Sequence, residues 1–211
     1  MTSVACIIIG IDQWAKYTLP LVESLRQHEP SCNVVVIDNA SAEPYPRDVA
    51  RWARVERTPR LCYSAAINTG KRWLDSENVN ADWYIVLSND VLCTGPFSHL
   101  LAPYTNAVVG PQLWQINIEH VGPVDYVVGW CVAISRQGWQ EIGPWDAGMQ
   151  ISSYEDCDYS HRARKAGYSL VEDLPFVHLD QKQRFYLVPN YWDSEIANRT
   201  RFVEKHGVAQ P

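Results

Sequence analysis

The chain has 211 residues, a length that predicts one globular domain with a core large enough to need no disulfide bonds. Its 18 basic and 24 acidic side chains leave a formal net charge of −6, which argues against a protein that binds nucleic acid or anionic lipid by charge. Apolar residues make up 46% and charged residues 20% of the chain, which excludes a disordered polypeptide.

Cysteine spacing and hydropathy bear on the cellular compartment expected for the protein and on whether it has a membrane segment. The six cysteines form neither a CxxC pair nor a zinc pattern, and most lie in apolar runs, which is typical of buried thiols in a reducing compartment. The apolar run from Val4 to Ile9 is too short for a signal peptide or a membrane span, and no cationic region precedes it. We therefore expect no transmembrane segment and a cytoplasmic location.

Apolar strands and helices alternate in the first half of the chain. Strands are predicted at Val4 to Ile9, Val34 to Ile37, Arg54 to Arg57 and Trp83 to Leu87. Helices are predicted at Tyr17 to Gln27, with Thr18 as its cap and Pro20 in its first turn, and at Ser64 to Leu74. This alternation predicts an α/β protein with a Rossmann-like, mostly parallel sheet, helices on both faces, and ligands at the carboxyl ends of the strands.

The pattern is less regular beyond Gly95. The predicted elements are a helix near Phe97 to Leu101, strands at Ala107 to Val109 and Tyr126 to Ile134, a loop from Gly143 to Ser153, a helix from Tyr154 to Ala166, short strands at Tyr168 to Val171 and Phe176 to His178, and a surface helix from Tyr191 to His206. The change in pattern suggests that the first half binds a nucleotide and the second half binds another substrate.

Two polar segments directly follow predicted strands. Asp38 follows the strand that ends at Ile37, and Ser88-Asn89-Asp90 follows the strand that ends at Leu87. A carboxylate at such a strand end can accept hydrogen bonds from a base or ribose, or hold a hard divalent cation. An Asx turn at Asp38 and a simple turn at Ser88 to Asp90 remain open as structural alternatives.

Two common nucleotide motifs are absent. The segment after the first strand, Gly10 to Trp14, lacks the GxGxxG pattern of dinucleotide-binding proteins. The segment Thr69-Gly70-Lys71 has neither the first glycine nor the final Ser or Thr of a phosphate-binding P-loop. His178 ends a short predicted strand, where it is either a structural histidine or a partner of Asp90 in a metal site.

Three carboxylates, Glu155, Asp156 and Asp158, lie at a predicted helix start. In a structural interpretation Ser153 caps the helix, Asp156 completes a capping box and Asp158 faces Arg162 one turn later. A carboxylate held at a helix start can equally act as a general base. At 100° per residue, Glu155 and Asp158 share a face while Asp156 points elsewhere, so different roles are possible.

Several segments, taken in order, match those of a known family: Val35 to Ser41, Tyr63 to Gly70, Leu87 to Val91, Gly129 to Ile134, Ile142 to Asp146, and Glu155 to Asp158 followed by Arg162 and Lys165 to Tyr168. With them the chain resembles the family 2 glycosyltransferases with the GT-A fold, especially the bacterial rhamnosyltransferase-like branch. The match covers about residues 4 to 180. Its specificity comes from the order and spacing of the segments.

The resemblance implies a metal-dependent, inverting transfer of a sugar from a UDP-, GDP- or dTDP-sugar to a hydroxyl of a glycan or glycoconjugate. It implies that Asp90, with His178, holds Mn²⁺ or Mg²⁺, and that Asp156, beside Glu155, is the catalytic base. The implied donor-binding residues are Gly10, Asp38, Asn39, Asn68, Gly70 and Asn89. The implied acceptor-binding residues are Trp130, Trp145 and Asp146.

In this interpretation residues 1–211 form a single domain. Residues 1–95 bind the nucleotide-sugar, residues 96–180 bind the acceptor, and residues 181–211 form a helical tail. Two positions depart from the family pattern: Ser88 replaces an Asp or Asn, and Cys62 replaces a common Gly.

Two alternatives use a similar fold. One is a catalytically inactive sugar-binding module. The other is a sugar nucleotidyltransferase, whose Gly-rich loop after the first strand is missing here. No nucleic-acid partner is expected of so acidic a chain.

Overall fold

The computed structural model describes residues 2–46, 53–180 and 190–207. The predicted helical tail therefore lies partly outside the described residues, at 181–189 and 208–211. The described elements are β1 (Val4–Gly10), a π-helix (Trp14–Thr18), α1 (Leu19–His28), β2 (Asn33–Asn39), β3 (Ala53–Thr58), α2 (Tyr63–Ser76), β4 (Trp83–Ser88), β5 (Val91–Cys93), α3 (Ser98–Leu101), β6 (Ala107–Gly110), β7 (Leu113–Ile118), β8 (Gly122–Val127), β9 (Cys131–Ser135), α4 (Arg136–Ile142), α5 (Glu155–Lys165), β10 (Ser169–Glu172), β11 (Phe176–His178) and α6 (Tyr191–His206).

A seven-stranded sheet with the order β10-β6-β9-β4-β1-β2-β3 forms the centre of the molecule. Neighbouring strands are parallel except at β9, which runs antiparallel to both β4 and β6. Two small antiparallel pairs, β11 with β5 and β7 with β8, lie beside this sheet. The predicted α/β class with a mostly parallel sheet is confirmed.

Alternation along β1 explains why helices cover both faces of the sheet. All seven residues of β1 are buried, and successive side chains point to opposite faces. Cys6 and Ile8 belong to one apolar cluster, with α1 residues such as Leu25. Ala5 and Ile7 belong to the cluster on the other face, with residues from α2, α4 and α5.

The strand predicted from Tyr126 to Ile134 is wrong, because two strands replace it. β8 ends at Val127 and pairs with β7, whereas β9 begins at Cys131 and joins the central sheet. Between them the Val128 N–H donates to the Gln112 carbonyl. The break exposes the Gly129–Trp130 segment to the cleft described below.

Neither of the two predicted capping side chains accepts a hydrogen bond from its helix. Thr18 does lie at the N-cap position of α1, after the π-helix, but its hydroxyl oxygen accepts from Asn89 and its hydroxyl donates to Tyr45. The N-cap position of α5 is Tyr154, in a left-handed conformation, and not Ser153, whose hydroxyl donates to Tyr191.

The predicted surface helix has one buried face. Helix α6 buries Tyr191, Ser194, Asn198 and Phe202 while Trp192 and Ile196 stay exposed. Among the described residues, no helix is long and apolar enough to cross a membrane.

Candidate active site

A cleft of about 320 Å³ opens where β1, β2 and β4 end at their carboxyl termini. One side of its lining comes from residues at these ends, including Gly10, Asn39 and Ser88, as expected for a parallel sheet. The opposite wall comes from the β7–β8 hairpin, the Gly129–Trp130 segment, the start of α5 and the start of α6. Residues from 1–95 and from 96–180 therefore line one opening, while their predicted substrates stay a prediction.

Asp90 and His178 meet in this cleft from positions 88 residues apart in sequence. Strand β11 pairs with β5 and places His178 opposite Val91. The His178 Nε2 atom lies 3.1 Å from Asp90 Oδ2, and both residues line the cleft. The Trp130 ring stacks on the His178 ring with centroids 5.1 Å apart and planes 15° apart. Trp130 is therefore in the cleft, as predicted, and one face of it is covered by His178.

Asn89 and Gly10 line the cleft and pack against the buried hydroxyls of Thr18 and Tyr45. The Asn89 side-chain amide donates to Thr18 Oγ1 at 3.0 Å and approaches the Tyr45 hydroxyl at 3.4 Å. A β-carbon on Gly10 would come within 2.8 Å of the Tyr45 hydroxyl, so only glycine fits here without a shift. The remaining donor candidate in the lining, Asn39, is bonded through its side chain to the Leu61 backbone.

Three predicted donor residues do not line the cleft. Asp38 is fully buried, and its carboxylate accepts hydrogen bonds from the Ser41 and Tyr45 backbone N–H groups and from Arg57. Asn68 exchanges two hydrogen bonds with the Trp145 backbone. A β-carbon on Gly70 would meet Ile7 at 2.3 Å, so this glycine permits close packing of α2 on β1. All three stabilise the walls around the site.

Asp156 faces the cleft from the first turn of α5. Its Oδ2 atom accepts a 2.9 Å hydrogen bond from the Gly129 N–H, and Oδ1 accepts one from the Cys157 N–H. The capping box predicted for Asp156 is therefore wrong: the carboxylate bonds to a distant loop and not to the Ser153 position. Burial raises the pKa of Asp156 above its ordinary value, against the opposing effect of the two N–H donors.

Tyr63, at the start of α2, connects this loop to the end of β4. Its hydroxyl lies 3.1 Å from the Gly129 carbonyl, to which it donates, and 3.2 Å from Ser88 Oγ. Burial raises the pKa of Tyr63 well above its ordinary value, so the phenol keeps its proton. Cys62, the departure from the family glycine, caps α2 by accepting a hydrogen bond from the Ala65 N–H.

The other two acidic residues of α5 differ in position. Glu155 lines the cleft and is 8% exposed. Asp158 is fully buried on the side facing α6, where it binds Arg162 at 2.8 Å, as predicted, and also Lys205 and His206. Glu155 and Asp158 were predicted to share a helix face, but of the two only Glu155 lines the cleft.

Two predicted acceptor residues also lie away from the cleft. Trp145 is 1% exposed and stacks on Tyr159 at 4.5 Å between ring centroids, which makes it a core residue. Asp146 forms ion pairs with Arg201 and Lys205 of α6.

The β7–β8 hairpin and the place of its aromatic side chains in the cleft were not predicted from the sequence. Trp114 and Tyr126 line the cleft as an edge-to-face pair with centroids 6.4 Å apart. Arg60 and Asp180 line the cleft as well and were not predicted. The turn sequence Glu119 to Gly122 between two apolar-rich stretches was the available signal for the hairpin.

Comparison with known proteins identifies the fold but no family. No protein-family model matches the sequence, and no curated protein matches it. Among solved structures, the chain is similar to GalNAc-T7 with UDP, GalNAc and Mn²⁺, with a TM-score of 0.72 and 14% identity over 97% of this chain and 48% of that chain.

Two further structures have the same architecture. The mannosyltransferase PcManGT from Pyrobaculum calidifontis, in complex with GDP-Man and Mn²⁺, superposes with a TM-score of 0.68 and 15% identity over 99% of this chain and 66% of that chain. The catalytic domain of Drosophila β1,4-galactosyltransferase 7 with xylobiose gives 0.60 and 15% over 100% and 82%. The chain thus spans about half of the first structure and about two thirds of the second. The predicted GT-A fold is confirmed, whereas the rhamnosyltransferase-like branch is not.

Proposed function

We propose that the protein is a metal-dependent glycosyltransferase that moves a sugar from a nucleotide-diphosphate donor to an acceptor hydroxyl with inversion at the anomeric carbon. The observation that carries this proposal is the meeting, in one cleft of a GT-A fold, of the Asp90–His178 pair with the carboxylate of Asp156. The three similar structures add support, because each is a glycosyltransferase by name and two hold a nucleotide or nucleotide-sugar with Mn²⁺.

The donor set fits a divalent cation shared with a substrate. Asp90 offers carboxylate oxygens and His178 an imidazole nitrogen, with Nε2 and Oδ2 3.1 Å apart. Within residues 2–46, 53–180 and 190–207, no group of three His, Cys, Asp or Glu side chains could hold an ion without other ligands. Mg²⁺ and Mn²⁺ are commonly held by one or two protein ligands together with substrate phosphates and water, and Asp90 with His178 would serve in that way.

Charge in the described lining points the same way. Five carboxylates face one guanidinium there: Asp90, Glu155, Asp156, Asp180 and Glu195 against Arg60. A nucleoside diphosphate brings further negative charge, which this lining repels unless a cation offsets it. When bound, the ion would also stabilise the charge that develops on the departing diphosphate.

Asp156 supplies the chemistry on the acceptor side. A carboxylate whose pKa is raised by burial is a better base than an exposed one, and the Gly129 N–H fixes one of its oxygens. It would accept the proton of the acceptor hydroxyl as that oxygen attacks the anomeric carbon from the face opposite the diphosphate. One base is sufficient for such a single displacement, which yields inversion without a covalent intermediate.

The donor is proposed as a UDP-, GDP- or dTDP-sugar and the acceptor as a glycan or glycoconjugate. Residues 1–95 would bind the donor, residues 96–180 the acceptor, and residues 181–211 would form the helical tail of the same domain. Trp130 would contact the acceptor through the ring face that His178 does not cover. We also propose a cytoplasmic location, since all six cysteines are free thiols.

Nucleotide release from a panel of UDP-, GDP- and dTDP-sugars tests the proposal, with Mn²⁺, with Mg²⁺ and with EDTA. We expect turnover with one donor class, loss of turnover in EDTA, and at least a tenfold weaker Mn²⁺ affinity in Asp90→Asn, measured by electron paramagnetic resonance with the nucleoside diphosphate present. Arg136→Ala, a change at an exposed ion pair on α4, is the control. Glycan binding without nucleotide release would instead identify an inactive sugar-binding module, and turnover unaffected by EDTA would overturn the metal role.

A further inference from the structure

The hydrogen bonds around Tyr63 form a chain that begins at the end of β4. Because burial keeps the phenol protonated and its one proton is donated to the Gly129 carbonyl, the Ser88 hydroxyl is the donor in the Ser88–Tyr63 contact. The Ser88 N–H also donates to the Trp130 carbonyl at 2.9 Å. The Gly129–Trp130 segment is therefore fixed to β4 at two points, one of which runs through Tyr63.

The same segment holds Asp156 on its other side. The Gly129 N–H donates to Asp156 Oδ2 at 2.9 Å, and a β-carbon on Gly129 would come within 3.1 Å of that oxygen. A side chain at position 129 would therefore require Asp156 to shift by a few tenths of an ångström. The orientation of this N–H donor therefore depends on how the backbone segment is held from the opposite side.

We propose that Tyr63 is a positioning residue for Asp156, acting through the backbone of Gly129. Its hydroxyl, which accepts from Ser88, fixes the Gly129 carbonyl, and this restrains the backbone dihedrals of Gly129 that set the direction of the N–H donating to the carboxylate. Ser88 then has a function that differs from metal binding. Its hydroxyl supports Tyr63, which accounts for a serine where the resembled family has Asp or Asn.

This inference rests on the proposed function for its catalytic consequence but not for its geometry. Within the described part of the chain, no hydrogen bond joins Tyr63 to Asp90 or His178, so its removal leaves the proposed cation ligands in place. A phenylalanine keeps the ring and removes only the hydroxyl. Tyr84→Phe is a matched control, because Tyr84 is a buried tyrosine outside the cleft whose hydroxyl donates to the Val79 backbone carbonyl.

The first measurement needs no substrate. Hydrogen exchange of the Gly129 amide, followed by ¹⁵N NMR, should be roughly 3- to 10-fold faster in Tyr63→Phe than in the wild type, the change expected for the loss of one hydrogen bond. In Tyr84→Phe, Gly129 should exchange at the wild-type rate. Wild-type exchange of Gly129 in Tyr63→Phe would overturn the positioning role, whether or not the protein transfers sugar.

The second measurement is a double-mutant cycle on transfer. Tyr63→Phe should lower kcat by about 3- to 10-fold with a donor KM within about twofold of wild type, and should have no further effect in the Asp156→Asn background. An equal loss in both backgrounds would show that Tyr63 acts independently of Asp156. Absence of transfer by the wild type with every donor would count against the proposed function alone, because the amide exchange still decides the role of Tyr63.

Discussion

Helix α5 presents Asp156 to the cleft and Asp158 to α6, and the surroundings of the two carboxyl groups are opposite. Asp156 accepts hydrogen bonds from the Gly129 and Cys157 backbone N–H groups, and burial raises its pKa. Burial alone would also raise the pKa of Asp158, but Arg162, Lys205 and His206 bring it below its ordinary value. One helix start thus holds a carboxylate suited to taking a proton and another suited to staying ionised.

The difference shows that a residue of the cleft and a residue that joins two helices can lie only two positions apart in the sequence. Asp156 is half-buried and Asp158 is fully buried, and burial favours a raised pKa for both, so the nearby charges decide the opposite directions of their pKa shifts. No Lys or Arg side chain among the described residues binds Asp156. Asp158 binds Lys205 and His206 and so joins α5 to the last turn of α6. We expect a substitution at one position to change activity and a substitution at the other to change stability.

The largest expected effect is on activity. Asp156→Asn should lower the rate of sugar transfer by about 10²- to 10⁴-fold, because the amide cannot accept the acceptor proton. Because the pKa of Asp156 is raised in the folded state, this carboxyl group weakens stability once the pH exceeds its pKa in the unfolded chain. The melting temperature of Asp156→Asn at pH 7 should therefore be equal to or higher than that of the wild type. Transfer assays and calorimetry check both, with Asp158→Asn as the matched variant. Retained turnover in Asp156→Asn would exclude it as the base and direct attention to Glu155.

Asp158→Ala should produce the largest loss of stability. Removing a fully buried carboxylate leaves Arg162, Lys205 and His206 without a shared partner, a change that costs about 3–5 kcal/mol when a buried pair is broken. Urea unfolding measures the loss. A change below about 1 kcal/mol would mean that α6 is held by its apolar contacts around Phe202 instead.

Stability should also fall as the pH is lowered from 7 to 5. Burial lowers the pKa of His161 to about 4 and lowers that of His206 from its ordinary value, despite the bond of His206 to Asp158. The unfolded chain binds protons near pH 6.5 where the folded chain does not, so acid favours unfolding in this window. His161→Gln should reduce the fall in melting temperature between pH 7 and pH 5. An identical fall in wild type and variant would assign the effect to other groups.

The smallest expected effect is at Arg201, the exposed end of the ion pairs that join α6 to Asp146 and Asp158. Arg201 binds Asp146 at 3.0 Å, but its side chain is 45% exposed. Arg201→Ala should therefore cost less than about 1 kcal/mol of unfolding free energy and leave transfer unchanged. Chemical denaturation and the transfer assay check this. A marked loss of activity would restore Asp146 to the acceptor-binding role that the sequence suggested.

The central strands could be predicted from the sequence because their signal is local. The apolar runs in β1, β2 and β4 are continuous, and buried parallel strands require such runs. The break between β8 and β9 has a weaker local signal, because Gly129 alone interrupts an apolar run from Tyr126 to Ile134. It depends on pairing of β8 with β7 and on the contact of Val128 with Gln112.

The candidate site was predictable only in part, for the same reason. Asp90, Trp130, Asp156 and His178 do line one cleft, since strand ends and helix starts collect at this edge of the sheet. Which carboxylate of α5 faces the cleft depends on Gly129, 27 residues before Asp156, and on Lys205 and His206, 47 and 48 residues after Asp158. No local pattern reports contacts of that range. Trp145 illustrates the limit, since a tryptophan in a loop is as compatible with the core as with a binding surface.

The configuration of the product tests the central claim most directly. With a donor of known anomeric configuration and Mn²⁺ present, ¹H NMR of the purified product reports the anomeric coupling of the transferred sugar. The proposed mechanism, with Asp156 as the single base, predicts a product of inverted configuration that Asp156→Asn forms at least about 100-fold more slowly. A product of retained configuration, or an inverted product formed equally fast by Asp156→Asn, would contradict it.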